Sequence, residues 1–165
     1  GIDPDYSAAL AKAMVASGID LPPTGGTVIC TVSDRDKEEA LPLMRRLHEM
    51  GFHIVATAGT ARYLEEHWVP ATSVKKISEG SPNLVDVIRG GNVSLLINTL
   101  SRDKTTEREG SQIRRASVEM GVPCLTSLDT AYALLTALES RGGGRVMDVH
   151  TVDDYFPPRE AGAQG

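Results

Sequence analysis

Residues 27–60 read TVICTVSDRDKEEALPLMRRLHEMGFHIVATAGT, and this stretch decides the fold. Its beginning, Thr27 to Val32, is a short β-rich run typical of a buried strand. An apolar face then repeats at helical spacing between Ala40 and Leu47. A second apolar run, Phe52 to Thr57, follows the glycine that ends this helix. A strand, a helix and a second strand in this order indicate a βαβ unit with parallel strands.

The same alternation continues to about residue 140. Strand-like apolar runs are predicted at residues 27–32, 52–57, 72–77, 93–98 and 124–126, with helices between them. Five short apolar strands separated by helices predict a three-layer α/β/α domain with a mainly parallel five-stranded sheet. Ligands bind such sheets beyond the carboxyl ends of the strands, near the switch in strand order.

Two interior segments interrupt this pattern. Pro42 lies inside the first helix of the alternation, where proline is expected to kink the helix or delay its start. Residues 101–111 are charged and poor in apolar residues, which predicts a loop, and a helix is predicted to begin at Glu107 or Gly110 and to end at Met120. Such a loop is either a solvated connection or a mobile lid over a site.

The two ends of the chain differ from this centre. Asp3 followed by Pro4 predicts the capped start of a helix, and the prolines and glycines of residues 21–26 form a linker. Residues 145–150 are predicted to form an edge strand, and residues 151–165 a disordered tail.

The composition excludes several classes of protein. The 165 residues include 17 basic and 22 acidic side chains, a net charge of −5, which argues against a broad nucleic-acid surface. No apolar run reaches the about 18 residues of a membrane span, and the first residues do not resemble a signal peptide. Cys30 and Cys124 lie in apolar runs and are expected to be reduced and buried, which favours a cytoplasmic location.

The segment Thr57-Ala58-Gly59-Thr60, directly after the second strand, is the strongest candidate for a binding site. Gly59 allows a tight turn, and exposed amides at a helix N-terminus together with two hydroxyls can hold an anion. The alternative is purely structural: Thr60 caps the next helix and Gly59 only turns the chain.

Other strand ends carry compatible chemistry. Lys37 follows the first strand, Lys75 and Lys76 end the third, and Asn98 and Thr99 end the fourth. Each residue alone is equally compatible with a solvated surface. Together they predict a pocket for a phosphate joined to a polar base or sugar.

No pattern of the sequence indicates catalysis or metal binding. The four histidines do not have the spacing of metal ligands, so no metal site is predicted. Asp34 and Asp36 are interpreted as helix caps. Walker-type loops, nucleophile elbows and dinucleotide-binding glycine motifs are absent from the sequence.

The same residues resemble the C-terminal regulatory domain of the carbamoyl-phosphate synthase large chain. The resemblance covers roughly residues 24–140 and is specific as an ordered set of motifs. These motifs are Asp34 to Lys37, Ala56 to Ala61, Lys75-Lys76, Glu79 to Pro82, Ile97 to Thr99, Ile113 to Ala116 and Pro123 to Leu128. Residues 1–22 are similar to the helix and linker that end the preceding synthetase domain, which leaves residues 23–150 as the regulatory domain.

This resemblance implies a methylglyoxal-synthase-like fold that binds effectors and has no catalytic site or cofactor of its own. The effectors of the family include uridine monophosphate (UMP), inosine monophosphate (IMP) and, at an interdomain site, ornithine. The expected phosphate-binding residues are Lys37, Thr57, Thr60 and Lys76. Asn98 and Thr99 would contact the nucleoside, and Thr126 matches a threonine associated with ornithine. Leu100 departs from the family pattern, because a threonine stands there in enterobacterial-type sequences.

The resemblance also implies a larger assembly. The expected partners are the rest of the large chain and the glutaminase small chain, in arginine and pyrimidine biosynthesis. ATP and a divalent metal would act in the synthetase domains, and neither nucleic acid nor a membrane is an expected partner.

Two enzymes share this fold and are rival interpretations. Methylglyoxal synthase, a lyase acting on dihydroxyacetone phosphate, has a catalytic aspartate where this chain has Ser81, which carries no carboxylate. The cyclohydrolase domain of purine synthesis has a similar Thr-Gly-Thr segment, but its longer continuation is missing here.

Overall fold

The computed structural model describes residues 1–19, 24–142 and 151–155. The helices are α1 (Tyr6–Ala16), α2 (Lys37–Glu49), α3 (Ala58–Glu66), α4 (Leu84–Arg89), α5 (Lys104–Glu119), α6 (Leu128–Gly142) and α7 (Val152–Tyr155). The strands are β1 (Thr27–Thr31), β2 (His53–Thr57), β3 (Thr72–Val74), β4 (Leu95–Asn98) and β5 (Cys124–Leu125). Short 3-10 turns at Asp34–Asp36 and Ile77–Glu79 precede α2 and follow β3.

All five strands are parallel and lie in the order β3-β2-β1-β4-β5. The chain starts at the centre of the sheet, moves outward through β2 and β3, and then returns to pair β4 with β1. The strand order therefore switches between β1 and β4, where Thr31 is in register with Asn98. The predicted parallel five-stranded sheet is confirmed.

Helices cover both faces of this sheet and make three layers. Alternate residues of β1 point to opposite faces, because side chains alternate along a strand. Val28 and Cys30 pack in one core with residues of α1, α2, α3 and α6. Ile29 packs in a second core with residues of α4 and α5.

Helix α1 packs against α6 and contributes Ala11 and Met14 to the first core. Its N-cap is Asp5, whose side chain accepts a hydrogen bond from the Ala8 amide at 2.9 Å. The prediction that Asp3 is the cap is wrong. Asp3 instead forms an ion pair with Lys12 of α1 at 3.0 Å.

The predicted loop at residues 101–111 is largely helical. Helix α5 begins at Lys104, and its N-cap Asp103 accepts a hydrogen bond from the Thr106 amide at 2.7 Å. The loop prediction is wrong here because the first turns of α5 have little apolar face: they lie between the solvent and a polar pocket. Pro42 also fails to delay α2, which runs through it with Leu43 and Met44 fully buried.

Helix α1 and the helical turn α7 are in side-chain contact. The Lys12 ammonium lies 2.9 Å from the hydroxyl of Tyr155, in the helical turn α7. Residues 151–155 therefore do not fit the predicted disordered tail. The predicted edge strand at residues 145–150 and the rest of the tail lie outside the described residues.

Trp68 follows α3 in a backbone conformation that favours glycine. Its φ is 64°, and its side chain is 91% exposed. The amides of Trp68 and Val69 donate back to the carbonyls of Glu65 and Leu64 at 3.0 and 2.9 Å, the hydrogen bonds that close a helix through a left-handed residue. A bulky residue occupies this position although it buries little apolar surface.

Trp68→Gly is expected to raise the free energy of unfolding by up to about 1 kcal/mol, because a left-handed conformation strains any residue with a Cβ. The greater freedom of glycine in the unfolded chain limits this gain. Urea denaturation measures it. The control is Val118→Gly at a residue 75% exposed in α5, which should cost about 1 kcal/mol. A Trp68→Gly variant less stable than the native chain would contradict the assigned strain.

Candidate functional site

A cavity of about 270 Å³ opens at the carboxyl ends of β1, β2 and β4. It lies at the switch in strand order, where ligands bind sheets of this kind. Thr31, Thr57 and Asn98 bring the three strand ends into its wall. The other lining residues are Val32, Ser33, Asp34, Lys37, Gly59, Thr60, Lys76, Thr99, Ser101, Asp103, Thr106, Glu107, Glu109, Gly110 and Ile113.

The structure brings the four predicted phosphate residues into this one pocket. All four line it, although they come from the start of α2, the end of β2, the first turn of α3 and the segment that follows β3: Lys37, Thr57, Thr60 and Lys76. Parallel strands explain this convergence, because their carboxyl ends share one edge of the sheet. The pocket is therefore a site where two ammonium groups and two hydroxyls can act on one ligand.

The N-terminus of α3 forms one side of the pocket. Thr57 is its N-cap residue in an extended conformation, and no side-chain hydrogen bond caps the helix. The first amides of a helix have no partner within it and carry partial positive charge. Thr60, in the first turn, is only 3% exposed. This arrangement favours an anion over the first turn of α3.

Lys37 extends from the start of α2 to the first turn of α3. Its Nζ donates to the carbonyl of Gly59 at 3.2 Å and lies 5.9 Å from the centre of the Tyr63 ring. It also pairs with the carboxylate of Asp34 at 2.6 Å. The Lys37 ammonium, with a smaller contribution from the charge of Lys76, holds the pKa of Asp34 below its usual value.

Lys76 and its neighbour Lys75 face different surroundings. The Lys75 ammonium donates to the carbonyl of Ser81 at 3.1 Å, outside the pocket. Lys76 lines the pocket and is exposed, and its ammonium forms no hydrogen bond or ion pair with any residue that the structure describes. Lys76 is therefore available to a ligand, whereas Lys75 is a natural control for it.

The two residues predicted to contact a nucleoside form the inner wall. Asn98 is 5% exposed; its amide nitrogen donates to the hydroxyl of Thr31 at 2.5 Å, and its amide oxygen accepts from Arg114 at 2.5 Å. The hydroxyl of Thr99 accepts from the Ser33 amide at 3.0 Å. Both side chains hold the strand ends together at the bottom of the pocket.

Arg114 connects this wall to α5. Its guanidinium donates to Asn98 and also pairs with Glu107, which lowers the pKa of the Glu107 carboxyl. Gly110 makes room for this contact, because a Cβ there would lie 3.0 Å from the Arg114 Nη1. The sequence analysis assigned no role to Arg114, Glu107 or Gly110. The pattern that could have indicated an ordered helix start here is Asp103, a typical N-cap residue, followed by Glu107 one helical turn later.

Three carboxylates of the α5 segment give the opposite wall an acidic character. Glu107 pairs with Arg114, Glu109 accepts from the Ser78 amide at 2.9 Å, and Asp103 caps α5. The hydrogen bond from the Thr106 backbone is the main reason why the pKa of Asp103 is lowered. The pocket therefore has a basic end at α3 and an acidic end at α5.

Two residues singled out from the sequence lie elsewhere. Thr126 follows β5, is exposed and does not line the pocket, so its association with ornithine stays a prediction. Ser81 also lies outside it and donates to the Asp86 carboxylate at 2.8 Å. Asp86, in the first turn of α4, also accepts from the amide of the N-cap residue Asn83, so neither side chain presents a base to the cavity.

Other potentially reactive groups are sparse. Cys30 is 1% exposed and burial raises its pKa to about 12, so its thiol is inert; Cys124 is a half-buried free thiol. Within residues 1–19, 24–142 and 151–155, no three metal-ligating side chains cluster. Among the described helices, none combines the length and apolar character needed to cross a bilayer.

Comparisons with known proteins agree with this architecture. The family model described as "MGS-like domain" matches residues 39–126, more than half of the chain, from α2 to the end of β5. The crystal structure of methylglyoxal synthase from Elizabethkingia anophelis NUHP1 is similar in fold, with a TM-score of 0.54. The two sequences are 18% identical, and the similarity covers 70% of this chain and 79% of that one.

Arg114→Ala is expected to lower the free energy of unfolding by about 1–3 kcal/mol, because it leaves the buried oxygen of Asn98 without a donor. The matched control is Arg115→Ala. The Arg115 side chain is 83% exposed and, among the described residues, its ion-pair partner is Glu119 on the same helix, so its loss should cost no more than about 0.5 kcal/mol. Chemical denaturation measures both, and equal losses would contradict the role assigned to Arg114.

Proposed function

We propose that this chain, which belongs to the MGS-like domain family, is the effector-binding regulatory domain of a glutamine-dependent carbamoyl-phosphate synthase large chain. The observation that carries the proposal is the convergence of Lys37, Thr57, Thr60 and Lys76 on the uncapped N-terminus of α3. The sequence motifs that resemble that large chain supply these same residues.

The ligand we infer is a nucleoside monophosphate such as UMP or IMP. Its phosphate would lie over the first turn of α3, where backbone amides and the ammonium groups of Lys37 and Lys76 all favour an anion. The cavity of about 270 Å³ is near the lower end of ligand-pocket volumes. That volume suits a mononucleotide better than a dinucleotide cofactor.

The nucleoside would extend toward α5. Carboxylates of Asp103 and Glu109 line that side, and a carboxylate accepts hydrogen bonds from hydroxyls or from an imide N–H. Asn98 and Thr99 support this end of the pocket through Arg114 and Ser33, so we assign them a positioning role more than a direct contact.

Regulation would act through the full-length enzyme. An effector that binds one arrangement of this domain more tightly shifts the enzyme toward that arrangement. By linkage, a synthetase core that favours the same arrangement raises the affinity for the effector. The partners in this proposal are the rest of the large chain and the glutaminase small chain, in the cytoplasm, with ATP and metal bound elsewhere in the enzyme. Ornithine near Thr126 belongs to the same proposal.

The competing candidate is a methylglyoxal-synthase-type lyase, which the similarity in fold keeps in consideration. Such an enzyme needs a base beside the bound substrate. Ser81 offers none, and the carboxylates that line the pocket already have partners. Asp103 and Glu109 accept backbone hydrogen bonds, whereas Asp34 and Glu107 form ion pairs with Lys37 and Arg114. The pocket therefore favours binding over proton abstraction.

We expect UMP or IMP to stabilise the chain against unfolding. A ligand present at about 100 times its dissociation constant adds about 2.7 kcal/mol to the free energy of unfolding. Thermal unfolding with UMP, IMP, ornithine and dihydroxyacetone phosphate, followed by calorimetric titration, measures this effect. Binding of neither nucleotide would overturn the proposal, and turnover of dihydroxyacetone phosphate to methylglyoxal would establish the lyase instead.

Lys76→Ala should weaken binding of UMP by about 1–3 kcal/mol, the scale of one charge-assisted hydrogen bond, and leave uridine unaffected. Lys75→Ala removes the same charge from the adjacent residue, whose ammonium contacts Ser81 outside the pocket, and should change the affinity little. Calorimetric titration of both variants with both ligands tests this. Equal losses for uridine and UMP would contradict a phosphate contact by Lys76.

A further inference from the structure

We propose that the Asp34 carboxylate competes with phosphate for the Lys37 ammonium. In the free protein this carboxylate is paired with Lys37, and a phosphorylated ligand must displace it. This inference rests on the proposed function, because it concerns the affinity of the same pocket for a phosphate. It assigns Asp34 a role in setting that affinity.

The contacts of Asp34 distinguish it from a helix cap, which was its predicted role. Ser33 is the N-cap of the 3-10 turn and Asp36 that of α2, and neither element has a side-chain capping bond. The Asp34 carboxylate has one ion-pair partner among the described residues, the Lys37 ammonium at 2.6 Å. Because Asp34 caps neither element, this ion pair is the structural role that the described residues give to its side chain.

The burial of the two partners shows how the contact is arranged. The side chain of Lys37 is 16% exposed, whereas that of Asp34 is 94% exposed. The carboxylate thus reaches the lysine from the solvent side and can turn away at little cost in packing. An exposed ion pair of this kind is weak, so a better anion can replace it.

Lys37 does not depend on Asp34 for its position. The Nζ also donates to the Gly59 carbonyl at 3.2 Å and lies over the Tyr63 ring. An ammonium has three donors, and one bond to Gly59 leaves two for a phosphate once Asp34 has turned away. Removing Asp34 should therefore free Lys37 rather than disorder it.

The charge of Asp34 also lowers the affinity of the pocket for a phosphate. The basic end of the pocket has two ammonium groups, Lys37 and Lys76, and the Asp34 carboxylate cancels one of these charges. A phosphate dianion placed there is repelled by Asp34 even after the ion pair has opened. Because Asp34 is exposed, salt should weaken this repulsion.

The test is the affinity of Asp34→Asn for UMP, inorganic phosphate and uridine, measured by calorimetric titration at low and high salt. We expect UMP and phosphate to bind about three- to tenfold more tightly than to the native chain at low salt, with a smaller gain at high salt. Uridine should bind unchanged. The control Glu38→Gln removes one charge from an exposed residue of α2 that does not line the pocket, and should alter each affinity less than about twofold.

Each other outcome has a defined meaning. Native chain that binds UMP, with Asp34→Asn no tighter, overturns the competitor role and leaves the proposed function standing. An equal gain for uridine, or an equal gain in Glu38→Gln, also overturns it, since the effect is then not specific to the phosphate contact. If neither the native chain nor Asp34→Asn binds UMP or phosphate, the proposed function falls with it.

Discussion

The pairing of β1 with β4 is the constraint on which the candidate site depends. The chain leaves the centre of the sheet through β2 and β3 and must return to place β4 beside β1, with Thr31 opposite Asn98. The helices that follow β1 and β4 lie on opposite faces of the sheet, so a crevice opens between them. The buried bonds of the Asn98 amide to Thr31 and Arg114 fasten the bottom of that crevice.

Basic and acidic side chains lie at opposite ends of the crevice. Its basic end combines Lys37 and Lys76 with the uncapped N-terminus of α3, whereas α5 contributes carboxylates at the other end. Most of these charges already have partners: Lys37 pairs with Asp34 and Glu107 with Arg114. Lys76 is the ammonium of the pocket without such a partner in the described part of the chain. Under the proposed function, ligand binding at this site would be an exchange of ion pairs, and its free energy would depend on the strength of the internal pairs.

The prediction from sequence succeeded where a residue's position along the chain fixes its place in the sheet. Lys37, Thr57, Thr60 and Lys76 lie at or just beyond the ends of predicted parallel strands, and all four line one pocket, whereas their contact with a ligand stays a prediction. The prediction from sequence placed the start of α5 too late, because the first turns of this helix face solvent and a polar cavity and lack the apolar periodicity that identifies helices. It also failed for Asp34, because an aspartate before a helix fits the pattern of a cap whether or not its side chain bonds an amide.

By itself the sequence determined the alternation of strands and helices, the parallel sheet and the edge at which polar residues gather, because these follow from local periodicity and from the geometry of βαβ units. Only the tertiary structure decided which charges meet. The ion pair between Asp34 and Lys37 is local in sequence. Other contacts of the pocket are hydrogen bonds between residues far apart in the chain: Lys37 to Gly59, Asn98 to Thr31, and Ser78 to Glu109. Side-chain contacts of this kind depend on distances of a few ångströms between elements, which no pattern along one strand or helix encodes.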